Sequence, residues 1–331
     1  MRGIWLLLLG LLLVLGGSWA ASRVQSADGT RVTDIRFAGD NGATLRALLY
    51  VPAGVDVAHK APAILAVHGY INTAEMQSAF AIEYARRGYV VLALDQAGHG
   101  YSSGPAFAGG FGGPAALRYL RSLPYVDTAN IGLEGHSMGG WTVLAAASAL
   151  PNGYRSMVLE GSSTGKPFAA DGTPGWPRNV ALVFSRFDEF AQIMWGVDRA
   201  QDVPDSPKLQ ALFGTTAPVI PGRIYGDIAT GTARRLTMPV ATHPGDHISH
   251  AAVADSLDWF GRTLQGGKPR APTDQIWLTK EFSTGVALVG IVPLLVGVFS
   301  LFLALPPFAP LRSTPEPRVR RRDRQWRRTF W

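Results

Sequence analysis

Apolar residues are spread along this chain in two different ways. Between about 30 and 265, short runs rich in aliphatic and β-branched residues alternate with longer stretches of helical period. The strand-like runs are 32–37, 43–51, 63–68, 89–95, 131–134, 156–159, 180–185 and 238–242, and the helical stretches are 74–87, 113–123, 138–150 and 250–264. The strand runs are apolar without alternation, so both of their faces are buried. That predicts an α/β fold with a mostly parallel, doubly wound sheet and helices on both faces. The first two runs are joined too closely for a crossover helix and predict an antiparallel lead-in. Two stretches break the alternation. Residues 161–178 are rich in Gly, Ser, Thr and Pro and read as a loop. Residues 190–235 carry Met194, Trp195, Leu209 and Leu212 and read either as a small helical lid over a site or as a surface excursion.

The second pattern is found at the ends. Residues 4–17 are uninterrupted and leucine-rich, with Arg2 before them and Ser18-Trp19-Ala20 after them. A charged start, an apolar run and a small-x-small triplet describe a secretory signal peptide; an uncharged run that reaches residue 21 also suits a membrane anchor. Residues 285–305 form a run of 21 without a charge. At about 1.5 Å per residue such a helix covers about 30 Å of hydrocarbon, and the lone Pro293 does not forbid it.

Charge completes this picture. The net charge of +7 is a property of the tail, because eight arginines lie between Arg312 and the end, against Glu316 and Asp323. The domain between the apolar ends is neutral, which argues against nucleic acid as a partner. Arginines flanking apolar segments mark the cytoplasmic side. The expected order is therefore a signal or anchor at 1–21, an extracytoplasmic domain at 30–265, a transmembrane helix at 285–305 and a basic cytoplasmic tail at 312–331. The chain has no cysteine, which excludes disulfides, a cysteine nucleophile and thiolate metal sites.

One motif carries chemistry. Gly135-His136-Ser137-Met138-Gly139 is a G-x-S-x-G pentapeptide with a strand-like run before it and the helical WTVLAAASAL after it. This context predicts a nucleophile elbow. Small residues two before and two after the serine let the tight turn close, and the turn lifts the hydroxyl out of the sheet toward a helix N-terminus.

With AVHGY at 66–70, DQAGHGYSSG at 95–104 and GHSMGG at 135–140, in that order, the chain resembles the α/β-hydrolase superfamily, and within it bacterial serine esterases and peptidases. The resemblance covers about 32–264. It implies that His68-Gly69 opens the oxyanion loop and that the main-chain N–H groups of Tyr70 and Met138 form the oxyanion hole, with His68 itself shaping the loop. It also implies that the second block, with Asp95 and His99, is a structural turn, because in this fold the acid and then the histidine follow the serine.

The acid is expected at Asp188, after the apolar run VALVF, with Glu189 and Glu160 as alternates. The base is expected at His247, 13 residues before Phe260, a spacing shared with relatives; His250 is the alternate, and His243 is placed at the end of the last strand. Three histidines also raise a metal site, but no second acidic cluster accompanies them, and neither a metal nor a cofactor is expected. The function expected is a membrane-tethered serine hydrolase that cleaves carboxylic esters of small molecules through Ser137, His247 and Asp188. A serine peptidase or amidase of the same fold is the alternative, followed by a binding module that has lost the chemistry.

Overall fold

A computed structural model describes residues 2–312. Apart from Arg312, the basic tail expected at 312–331 lies outside the described residues. The chain divides into two compact units: residues 22–281, and residues up to 21 together with those from 282 onward.

The larger unit is built on a nine-stranded sheet. Its strands are β1 (Arg31–Ala38), β2 (Thr44–Val51), β3 (Ala61–Val67), β4 (Val90–Leu94), β5 (Val126–His136), β6 (Ser156–Glu160), β7 (Val180–Val183), β8 (Ile224–Tyr225) and β9 (Arg234–Thr237), in the order β1-β2-β4-β3-β5-β6-β7-β9-β8. β2 runs antiparallel to both β1 and β4, and β8 runs antiparallel to β9; the strands from β4 through β9 in that order are parallel. The helices of this unit are α2 (Ser78–Arg86), α3 (Gly113–Ser122), α4 (Met138–Ala149), α5 (Ala191–Trp195), α6 (Pro207–Phe213) and α7 (His250–Thr263), with α1 (Arg2–Gln25) and α8 (Trp277–Phe302) at the chain's two ends.

Alternate residues of one strand feed two separate cores, which is why the strands read as continuous apolar runs. In β3, Ala63, Leu65 and Val67 join a core with α3 and α4, while Ile64 and Ala66 join a core with α2 and α7. The predicted elements are present with end shifts of a few residues, except the last strand. It was expected at 238–242 and lies instead at Arg234–Thr237. Two arginines hid it. Arg234 is buried, its guanidinium donating to the carbonyls of Ala233, Thr173 and Pro174. Arg235 is paired with Asp258 and lies over the Trp259 ring. Pro239 has no N–H and cannot extend the ladder. Residues 238–242 still run beside the chain that leaves β7, with Arg186 and Phe187 donating to the carbonyls of Pro239 and Ala241.

Residues 190–235 hold α5, α6 and β8. Met194, Trp195, Leu209 and Leu212 are all buried in the α3–α4 core, so these side chains act as core, not as an apolar lining. In the smaller unit, α1 has 24 residues and α8 has 26, each long and apolar enough to cross a membrane.

Trp259 closes the α2–α7 core and donates from Nε1 to the carbonyl of Asn179 at 2.9 Å. Trp259→Ala is expected to lower the stability of the sheet unit by about 3–5 kcal/mol, measured by denaturant unfolding of the full chain in detergent.

Candidate active site

Ser137 stands between β5 and α4 with φ 53° and ψ −120°. A non-glycine residue at positive φ stores about 1–3 kcal/mol of strain and persists where the surroundings over-determine it. Those surroundings are glycines. A Cβ on Gly135 would lie inside the Gly139 carbonyl, and one on Gly139 inside the Val67 carbonyl at the end of β3. A Cβ on Gly69 would sit 3.0 Å from His136 Nδ1 and 3.3 Å from Ser137 Cβ. Two hydrogen bonds fix the turn from the β6 side: Ser137 N–H donates to the Glu160 carbonyl at 2.8 Å, and Ser162 Oγ donates to the Ser137 carbonyl at 2.7 Å.

The loop after β3 is held from below. His68 accepts the Gln96 N–H at Nε2, 3.1 Å, so its proton is on Nδ1, which donates to the Gly69 carbonyl at 2.6 Å. The Gln96 side chain donates to the His68 carbonyl at 2.6 Å and accepts from Thr142 of α4. Burial pushes the His68 pKa down to about 4, so the ring stays neutral and shapes the loop. Among the described residues, neither the Tyr70 nor the Met138 N–H is taken by a main-chain carbonyl. Asp95 accepts from the N–H groups of Ala74 and Tyr101 and faces Arg46; it is tied into its turn.

Asp188 and His243 come together beyond β7 and β9. Asp188 Oδ1 accepts the Phe190 N–H at 2.8 Å, and Oδ2 lies 2.8 Å from Nδ1 of His243. Both residues are buried. Beside them Gly161 has φ +51°, and a Cβ there would fall 2.9 Å from His243 Nδ1 and 3.2 Å from Asp188 Oδ2. The main chain of His243 is held as well: its N–H donates to Glu189 Oε2 at 3.1 Å, and its carbonyl accepts from His136 Nε2 at 3.0 Å. With Nδ1–H aimed at the carboxylate, Nε2 is left for a second partner.

The structure therefore brings His243, not His247, to Asp188. His247 is buried, its ring packed on His136 with centroids 4.0 Å apart. Burial and the neighbouring His243 and His68 push its pKa down to about 4. The reason for this difference in placement is the strand boundary. Because β9 ends at Thr237, His243 is already in the loop and His247 lies one turn further on, inside a short helical turn at Pro244–Ile248. His250 begins α7, exposed, with its ring 5.1 Å from that of Trp277. Glu189 grips main chain rather than a ring. Glu160 is fully buried with both carboxylate oxygens unpartnered among the described residues. Sequence reasoning assigns no role to His136 and Ser162, whose contacts join segments far apart in the chain.

Phe190 packs on the His243 ring at 4.5 Å, while Tyr70 is exposed and stacked at 6.3 Å on Phe107. The cleft of about 680 Å³ beside Arg87, Lys268 and Arg270 contains none of these residues, and no group of three or more His, Cys, Asp or Glu suited to a metal ion occurs among the described residues.

A family model of the alpha/beta hydrolase fold matches residues 62–193. The sheet unit has the α/β-hydrolase fold. Solved structures with this fold include an esterase of Pyrococcus furiosus, 15% identical, with a TM-score of 0.53 over 75% of this chain and 95% of that one. Another is a candidate dipeptidyl aminopeptidase IV of Bacteroides ovatus, 17% identical, with a TM-score of 0.51. That match covers 71% of this chain but 36% of the aminopeptidase's. No curated protein matches its sequence.

Beneath the elbow of this α/β-hydrolase fold lie Glu160, Glu134 and Asp246, with Asp246 pushed up to about 8, chiefly by burial, and both glutamates held well above the ordinary range for the same reason. An acid whose folded pKa is raised holds its proton longer in the native state than in the unfolded one. Stability then falls as pH rises from the unfolded pKa toward the folded one. Glu160→Gln is expected to flatten that fall as pH rises above the ordinary glutamate range, read as the pH dependence of the unfolding midpoint of variant against wild type.

Proposed function

We propose that the protein is a serine hydrolase of carboxylic esters, with Ser137 as nucleophile, His243 as general base and Asp188 as the group that orients it. The observation that carries this is the 2.8 Å contact between His243 Nδ1 and Asp188 Oδ2, with His136, the residue before the strained Ser137, donating to the His243 carbonyl.

Ser137 Oγ attacks the ester carbonyl while its proton passes to His243 Nε2. The N–H groups of Tyr70 and Met138 receive the developing oxyanion, each contributing about 3 kcal/mol to lowering the barrier. The intermediate collapses, the C–O bond to the alcohol breaks, and the alcohol leaves with the proton from His243. Water then attacks the acyl-enzyme, gives its proton to His243, and the acid departs as Ser137 regains its hydrogen. Asp188 stabilises the imidazolium at both stages. His136 and Glu189 are positioning residues, because they fix the carbonyl and the N–H of His243. Phe190 and Tyr70 support an ester with an apolar group beside the scissile bond.

The apolar helices α1 and α8, with arginines at Arg2 and from Arg312 onward, support a membrane-held protein whose catalytic unit faces the extracytoplasmic side.

Ser137→Ala is expected to abolish fluorophosphonate labelling and ester hydrolysis in a chain that still folds. Labelling of that variant at the wild-type level would remove the assignment. With an activated ester, His243→Ala is expected to lower kcat by about 10³-fold or more and His247→Ala by less than about tenfold. The reverse ranking would return the base to His247 and leave the serine in place.

A further inference from the structure

We propose that α1 is not a leader removed on export but a permanent transmembrane helix, paired antiparallel with α8 through a heptad seam of small residues. The inference is independent of the catalytic reading.

Small residues recur every seven positions on both helices. On α1 they are Gly3, Gly10 and Gly17; on α8 they are Ser283, Gly290 and Gly297. A seven-residue spacing keeps one face of each helix turned toward its partner in a left-handed crossing. The close approaches fall on these positions. A Cβ on Gly10 would lie 2.5 Å from Leu294 Cα, and one on Gly17 would lie 2.7 Å from the Ser283 carbonyl oxygen and 3.0 Å from Ala287 Cβ. A Cβ on Gly3 would lie 2.9 Å from Ser300 Cβ. From the other side, a Cβ on Gly290 would meet Leu13 Cβ at 2.6 Å, and one on Gly297 would meet Leu7 Cα at 2.7 Å. Lower numbers on one helix meet higher numbers on the other along the whole seam, so the pair is antiparallel.

In hydrocarbon no hydrophobic force drives helices together, and association comes from backbone approach at small residues. A leader that is cut away needs no such complementarity to a helix nearly 300 residues later. Its loss would leave the Gly290–Gly297 face of α8 without the partner it fits. The large side chains Leu12, Leu15 and Trp19 point away from the seam and are exposed, as are Val289 and Val292 on α8, which suits a lipid-facing surface.

The absence of native cysteine makes the test direct. The full chain is expressed in bacterial membranes with an N-terminal epitope, carrying Gly17→Cys and Ala287→Cys, or Leu15→Cys and Val292→Cys as a control. The expected result has two parts. The epitope stays on the mature membrane protein, and mild oxidation cross-links the 17/287 pair at least about tenfold more than the control, since these Cβ positions are in direct contact, within reach of a disulfide. Adding Gly10→Leu to the 17/287 pair should reduce that cross-link several-fold, whereas Leu12→Ala should leave it. Loss of the epitope from the otherwise unmodified chain would overturn retention. Retention with no excess of the 17/287 cross-link over the control would overturn the pairing.

Discussion

The left-handed backbone at Ser137 is the constraint on which the site rests. A serine at φ 53° is tolerated because hydrogen atoms stand where three methyl groups would collide, at Gly69, Gly135 and Gly139. Those hydrogens let the start of α4 press against the ends of β3 and β5, so the helix N-terminus and the loop after β3 converge on the serine. The turn is then pinned from the neighbouring strand by the Glu160 carbonyl and the Ser162 hydroxyl. Strain in the turn is thus offset by packing and hydrogen bonds drawn from four segments.

The parallel sheet supplies the rest by registry. β5, β6, β7 and β9 end side by side, with His136 opposite Glu160 and Glu160 opposite Val183. Side chains just past those ends are brought into one neighbourhood although they are far apart in the chain. His243 is held there at its ring, its N–H and its carbonyl, by Asp188, Glu189 and His136 respectively. A histidine held at three points keeps little orientational freedom, so its ring presents one nitrogen in a fixed direction.

Much of this was legible in the chain. Runs apolar on both faces announced a covered parallel sheet, and the G-x-S-x-G between a strand and a helix announced the elbow. Two things were not legible. Arg234 and Arg235 are buried by finding carbonyls and Asp258, a tertiary arrangement that local hydropathy cannot register, so the last strand was displaced by four residues. That displacement carried the histidine with it: counted from Thr237, His243 is a loop residue, but counted from Thr242 it belongs to a strand end. Met194 and Trp195 were ambiguous for another reason, because an apolar side chain that lines a site and one that fills a core have the same signature; both are buried in the core.

Asp188 and Glu189 are consecutive, yet one holds a side chain and the other holds the main chain of the same histidine. Both grips therefore depend on a single count of residues between the end of β7 and this turn. Point changes at the exposed Phe187 alter one surface side chain and leave that count intact. Inserting or deleting one residue there rotates both carboxylates away from His243 together. The segment is permissive in composition and rigid in length, so a library that diversifies this rim should vary its letters and keep its spacing.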